Sequence, residues 1–218
     1  MSAVVFCDVD WVLRKGKGAV VAPETQREIT LFRGRGGIFN MITGAPLAHV
    51  PKIPAHMVFA EAGGVKVMQG VKYVSEQGRV SVLELRRRLQ ILQEDGIVET
   101  SFGSVIVEGP QRFTSLTLLF GRPSHYPGVV TSANMAEVNA WIAKLAWDLP
   151  VTLSAAEDTT YSYSDVFSMT KGKTVAAAMC EAGWESAYFL GDNSPDLEPM
   201  LLREIIPVGF SNSIEAIR

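Results

Sequence analysis

This sequence has little with which to staple itself, cross a membrane or grip a polyanion. Its 218 residues include two cysteines, Cys7 and Cys180, too few for a disulfide framework. Both lie in apolar contexts and read as buried, reduced thiols. No apolar run approaches the ~20 residues that a membrane-spanning helix needs. No basic region followed by a long apolar stretch opens the chain, so no signal peptide is read and a cytoplasmic location is expected. The formal net charge of −3 lacks the basic excess of a nucleic-acid binder. What is present is an ordinary globular mixture, 47% apolar and 20% charged, able to build a core without staples. The length suits one large domain or two small ones.

The most informative stretch runs from Val4 to Leu13. An apolar run rich in Val and Phe stops at two carboxylates, Asp8 and Asp10. Such a short run suits a buried strand of a parallel sheet. Its C-terminal end is where open α/β sheets bind ligands. Residues i and i+2 of a strand point the same way, so the two acids call for a cation or a shared proton. Two hard oxygen donors at a strand end suit Mg²⁺. Taken alone, the pair reads equally well as an Asp-containing turn.

The rest of the chain falls into two patterns. Arg14 to Gly18 reads as a solvated loop carrying three cations. Pro23 opens a helix marked by Ile29, Leu31 and Phe32. Ile38 to Ile42 reads as a second strand, ending in Thr43-Gly44, a hydroxyl and a backbone N–H suited to a phosphate oxygen. Met57 to Ala60 reads as a third strand, followed by Glu61-Ala62-Gly63-Gly64. Val65 to Met68 and Val71 to Val74 read as a hairpin around Gln69-Gly70. The pattern then changes. An amphipathic helix is expected from Ser81 to Glu94, with Arg86, Arg87 and Arg88 on its solvated face. Strands follow at Ser104 to Glu108 and Thr114 to Phe120, then a helix from Ala133 to Trp147, then strands at Val151 to Leu153 and Tyr161 to Val166. This order, helix-strand-strand twice over, describes an antiparallel sheet with helices on one face. The α/β pattern returns at Lys171-Gly172-Lys173, which opens an Ala-rich helix. The strand Ser186 to Leu190 ends in Gly191-Asp192-Asn193-Ser194-Pro195-Asp196, a second acid pair at a strand end. Ile205 to Val208 is a last strand. A further helix is expected beyond Asn212, as if the chain were cut short.

These ordered strand-end motifs resemble those of the haloacid-dehalogenase-like hydrolase superfamily. The residues that carry the resemblance are Asp8-Val9-Asp10, Thr43 of Met41-Ile42-Thr43-Gly44, Lys171 of Lys171-Gly172, and Gly191-Asp192 to Asp196. The insertion between the second and third motifs, with Glu61 to Gly64, is similar to the α+β-capped branch. That branch includes sugar-phosphate, phosphoglycolate and mannosyl-phosphoglycerate phosphatases. The resemblance implies an α/β fold, a Rossmann-like parallel-sheet core (1–75 and 160–218) with an inserted α+β cap domain (76–159). It implies a phosphoric monoester hydrolase that closes its cap over a small phosphorylated metabolite, as monomer or homodimer, with neither nucleic acid nor membrane as partner.

Residue by residue, it implies Asp8 as a nucleophile forming an aspartyl-phosphate, and Asp10 as acid then base. Thr43, Gly44, Lys171 and Asn193 would hold the phosphoryl group or substrate. Asp8, Asp10 (through its carbonyl), Asp192 and Asp196 would serve Mg²⁺. Asp196 would act through water or orient Lys171. Two departures bear on substrate and rate. Trp11-Val12 stands where the family usually has Gly followed by Thr, so Trp11 needs ordinary backbone or strain. Ala45 follows Thr-Gly where relatives often carry Arg. A phosphomutase of the same superfamily and a non-catalytic phospho-ligand binder are the alternative readings. A receiver-type signalling domain also sets Asp, Thr and Lys around Mg²⁺, but neither the long insertion nor the Asp-x-Asp spacing suits it. Arg112, His125, Glu157 and Asp158 are polar residues near the expected cap loops, better read as surface than as substrate contacts. Trp141 and Trp147 read as core.

Overall fold

Val4–Asp8 (β1) lies inside the larger of two sheets and is buried on both faces. That burial is why its sequence is continuously apolar rather than alternating. On one face Val4 and Phe6 pack with Ile42, Phe59, Val175, Met179 and Phe189. On the other Cys7 and Val9 pack with Val21, Ile29, Phe39 and Met41. Each fully buried side chain of this size contributes about 1.5–3 kcal/mol. The computed structural model describes residues 2–90, 96–100, 103–108, 111–120, 135–157, 162–211, 213–215 and 217.

Parallel neighbours flank β1, namely Ile38–Ile42 (β2) and Ala187–Leu190 (β11). Met57–Ala60 (β3) continues the sheet in parallel beyond β2, and Ile205–Val208 (β12) does so beyond β11. Val65–Met68 (β4) runs antiparallel to β3, and Val71–Val74 (β5) completes seven strands. The β4–β5 turn is Gln69-Gly70 with φ of 52° and 78°, the paired positive values of the turns that suit hairpin twist. Pro23–Gly34 (α1) contributes Ile29 to one face of the sheet. Lys171–Ala182 (α4) contributes Val175, Ala178 and Met179 to the other. Ser194–Met200 (α5) packs beside α4.

The second sheet is antiparallel throughout. It orders Gly96–Thr100 (β6), Gly103–Glu108 (β7), Ser115–Phe120 (β8), Ser162–Phe167 (β10) and Thr152–Glu157 (β9). Val82 and Leu85 of Glu76–Arg88 (α2), with Val138 and Ile142 of Met135–Leu145 (α3), meet Val105, Val107, Leu116, Leu118 and Val166 in one core. The chain thus divides into two compact units, each with its own sheet: Met1–Tyr73 with Met169–Arg218, and Val74–Ser168.

Several expectations are corrected. The second boundary falls at 168/169 rather than 159/160, because β10 is hydrogen-bonded to β8 and β9 on its two sides. Helix α2 starts at Glu76, five residues before the expected Ser81. Ser75 caps it, accepting the Gly78 N–H at 3.1 Å. A Cβ at Gly78 would stand 2.3 Å from Ser168 Oγ, so a residue that weakens helices is required inside this one. The helix ends at Arg88, and 91–95 lie outside the described residues. Strand β6 adds to the expected doubled helix-strand-strand order. The α3 expectation loses its ends: 133 and 134 lie outside the described residues, and the helix stops at Leu145. Trp147 is 81% exposed, not core, and Cys180 is exposed. His125 and Asp158 lie outside the described residues. In place of a helix beyond 212, residues 213, 215 and 217 lie in bends and turns, and Ile214 N donates to Asp192 O at 2.9 Å. Among the described residues no helix is long and apolar enough to cross a membrane.

Candidate active site

Three parallel neighbours, β11, β1 and β2, end along one edge of the large sheet. Their C-terminal ends therefore bring Asp192, Asp8 and Thr43 to that edge, although 184 positions separate Asp8 from Asp192 in sequence. Lys171 reaches the same place from the first turn of α4. Its ammonium lies 2.9 Å from Asp8 Oδ1 and 2.7 Å from Asp196 Oδ1. All three side chains are buried. Burial alone would push Lys171 down, but the Asp196 and Asp8 carboxylates outweigh it and hold the ammonium well above its usual range. It is a fixed positive charge at any ordinary pH.

Asp196 accepts three hydrogen bonds. Its Oδ1 accepts from Lys171, and its Oδ2 accepts the backbone N–H groups of Asp192 and Asn193 at 3.0 and 3.2 Å. This is a capping box, with Asn193 as N-cap. One carboxylate thus fixes both the Asp192 loop and the Lys171 head. A Cβ at Gly191 would stand 2.5 Å from Asp196 Cβ, so the close turn before Asp192 needs glycine. Asn193 itself spends its side-chain oxygen on Ser194 N.

Asp8, Asp192 and Asp196 bring carboxylate oxygens within 4.8 Å of one another, a cluster that could hold a metal ion. Asp8 is pushed up by burial, which outweighs Lys171, and by Asp196. Asp192 is pushed up to about 6 by burial and then by Asp196. Two acids held above their usual range by burial and by the Asp196 charge fit a hard divalent cation. Asp196, which already accepts three hydrogen bonds, is the most engaged of the three acids. Cys7 sits beneath this cluster with its thiol pushed well up by burial and by Asp8, an inert core group.

Thr43 is buried, and its Oγ1 accepts the Ala45 N–H at 3.0 Å, leaving the hydroxyl hydrogen to donate. The short 3₁₀ turn Glu61–Gly63 supports it, with Ala62 N donating to Thr43 O at 2.8 Å and Glu61 N to Ala45 O at 3.0 Å. Glu61, Ala62 and Gly63 all adopt positive φ, at 51°, 57° and 111°. Thr174 of α4 donates from Oγ1 to Ala62 O at 2.5 Å, linking the Thr43 loop to the helix that carries Lys171. Gly44 lies beside Thr43.

Asp10 lies near enough to Asp192 for its charge to help raise it, but its side chain is turned to Arg14. Its Oδ1 accepts Arg14 Nε at 2.7 Å. Arg14 is buried, which corrects the reading of its segment as solvated loop. The signal missed is local: Leu13 and Arg14 N–H groups both donate to Val9 O, and Trp11 N donates to Arg14 O. That tight reversal turns Arg14 back onto Asp10. Trp11 adopts φ of 65°, the strained alternative of the two expected, and is 55% exposed.

No family model matches the chain, and no curated protein matches it. Solved structures do match its fold. A haloacid dehalogenase-like hydrolase from Bacteroides thetaiotaomicron aligns with 100% of this chain and 91% of its own, at 11% identity and TM-score 0.64. Sucrose-phosphatase from Synechocystis sp. PCC6803, solved with sucrose and phosphate, aligns with 99% of this chain and 86% of its own, at 12% identity and TM-score 0.64. A trehalose-6-phosphate phosphatase related protein aligns with 95% of this chain and 86% of its own, at 11% identity and TM-score 0.61. The chain therefore has the α/β fold of the haloacid-dehalogenase-like phosphatases over its whole length.

Proposed function

We propose that this protein is a Mg²⁺-dependent phosphatase that hydrolyses a small phosphorylated metabolite, of the sugar-phosphate type, through an aspartyl-phosphate on Asp8. The observation that carries the reading is the Lys171 ammonium held between the buried Asp8 and Asp196 carboxylates at the sheet edge where Asp192 and Thr43 also end. A fold alone needs no such buried cluster, since unpaired charge is costly to bury. The phosphatases that share the fold support the chemistry.

A carboxylate that attacks a phosphate dianion meets strong repulsion. Lys171 opposes it at close range, and that electrostatic contribution dominates. Asp8 and Asp192 would hold the cation, with the Asp10 carbonyl completing the protein's share. Bound there, Mg²⁺ supplies charge neutralisation for the phosphoryl oxygens. Asp8 forms a new O–P bond as the P–O bond to the leaving group breaks. The electron pair goes to the leaving oxygen, which takes a proton from Asp10. Water then attacks phosphorus and gives its proton to Asp10, releasing phosphate and restoring the Asp8 carboxylate. The Thr43 hydroxyl and the Gly44 backbone hold phosphoryl oxygens. Asp196 keeps Lys171 aimed.

Trapping tests the covalent step. Enzyme quenched in acid during turnover of a sugar phosphate should carry a phosphoryl group on the peptide containing Asp8, seen by peptide mass. A phosphoryl group on another residue, or none with turnover intact, would remove Asp8 from the role. Product analysis in the same experiment separates a phosphomutase, which leaves the phosphate on the sugar.

A further inference from the structure

The side chains of Arg14 and Asp10 pair with each other beside the carboxylate cluster. The Arg14 side chain is 4% exposed and that of Asp10 16%. Nε of Arg14 donates to Asp10 Oδ1 at 2.7 Å, and Nη1 donates to the His49 carbonyl at 3.0 Å. His49 closes the 3₁₀ turn Leu47–His49, which lies between β2 and β3. The guanidinium is thus clamped from two directions. A planar guanidinium held at a second point keeps its one hydrogen bond to Asp10 in a fixed direction, where a lysine would act as a point charge. Asp10 follows β1 in a reversal whose backbone is itself fixed by four hydrogen bonds: Trp11 N to Arg14 O, Leu13 N and Arg14 N to Val9 O, and Gly16 N to Arg14 O. Oδ1 is committed to Arg14, so Oδ2 is the oxygen left for proton transfer.

We propose that Arg14 is a positioning residue for the proton-transfer step. It locks the Asp10 carboxyl so that one oxygen faces the leaving group in the first half-reaction and the attacking water in the second. A bound geometry held this firmly is worth orders of magnitude in rate, and a misplacement of about 1 Å can cost ~10²-fold. The proposal rests on the phosphatase reading, and the test separates the two.

The leaving group is the discriminating variable. Glucose 6-phosphate must expel a sugar alkoxide, which needs the proton. p-Nitrophenyl phosphate expels a stable phenolate, which does not. Wild type, Arg14→Met and Arg14→Lys would be assayed on both probes with Mg²⁺ present, with thermal unfolding followed in parallel. Arg14→Met should lose kcat/KM, which reports the steps through departure of the leaving group, by on the order of 10–100-fold on glucose 6-phosphate. Its kcat/KM on p-nitrophenyl phosphate should fall by less than about threefold, because the water-attack step common to both probes does not enter kcat/KM. Arg14→Lys should recover part of the glucose 6-phosphate rate, and it carries the test if the Met variant does not fold. Equal losses on both probes would mean that Arg14 only braces the loop, and would overturn the proposal. So would an unchanged glucose 6-phosphate rate. If the wild type turns over neither probe, or only p-nitrophenyl phosphate, no proton-dependent leaving group is served and the proposal fails. The phosphatase reading is left standing by an equal loss in the variant, and it falls only if a wider panel of sugar phosphates is not turned over either.

Discussion

Burial and the Asp196 carboxylate push Asp192 up to about 6 from an ordinary value of 3.8. Between those values the folded chain holds a proton that the unfolded chain has lost. Stability in chelator should therefore fall as pH rises through the window from about 4 to 6, by on the order of 1–3 kcal/mol. Asp8 is shifted in the same direction, also by burial. Thermal unfolding at pH 4.5 and 7.5 checks this. Asp192→Asn should lose less stability over that rise than the wild type, and Mg²⁺ at pH 7.5 should restore the wild type more than the variant. Equal pH slopes would mean that Asp192 is not strained in the metal-free state. At Trp11 the strain is in the backbone. A φ of 65° costs a bulky residue roughly 1–2 kcal/mol. Its indole rests on Gly16, where a Cβ would stand 3.3 Å from the ring, but the side chain is mostly in solvent. Trp11→Gly should stabilise the protein by about 0.5–1 kcal/mol, after the entropy of the added glycine is deducted. Urea unfolding would show a loss instead if the ring contact outweighs the backbone strain.

At the scale of elements, the site depends on a junction between the Thr43 loop and α4. A Cβ at Gly63 would stand 1.9 Å from Thr174 Oγ1, and its φ of 111° is a glycine conformation. Gly63→Ala should cost more than about 3 kcal/mol, seen in urea unfolding, since strain and clash add. A loss below about 1 kcal/mol would show that the turn relaxes freely. Elements that end at the site are legible in the sequence because each is a short apolar run stopped by a polar residue: Phe6-Cys7-Asp8, Met41-Ile42-Thr43 and Phe189-Leu190-Gly191-Asp192. The start of helix α2 is set by the local Ser75 cap, but it is hidden by Gly78 in the first turn, a helix-weakening residue that packing against Ser168, 90 positions away, requires. Strand order already groups β10 with the smaller sheet, where it pairs with β8 and β9, and only the expected domain limit at 159/160 cuts across that grouping. Arg14 reads as one of three loop cations; nothing in its spacing announces a buried pair with Asp10.

At the scale of the whole molecule, a parallel sheet assembles the chemistry. Adjacent parallel strands deliver their C-terminal ends together whatever their separation in sequence. The residues from Val74 to Ser168 form a unit of their own, inserted in sequence between the two segments of the larger one. Order of motifs therefore carries more than any motif alone. The fold agrees with solved phosphatases at 11–12% identity, so function rests on the site rather than on sequence likeness. The most direct test is phosphate release from a panel of sugar phosphates and phosphoglycolate, run with Mg²⁺, with chelator, and with Asp8→Asn. Release from at least one substrate is expected, lost on chelation and reduced by at least about 10³-fold in Asp8→Asn. Release that survives chelation or the loss of Asp8 would contradict this, as would no release at all by a folded, Mg²⁺-loaded protein.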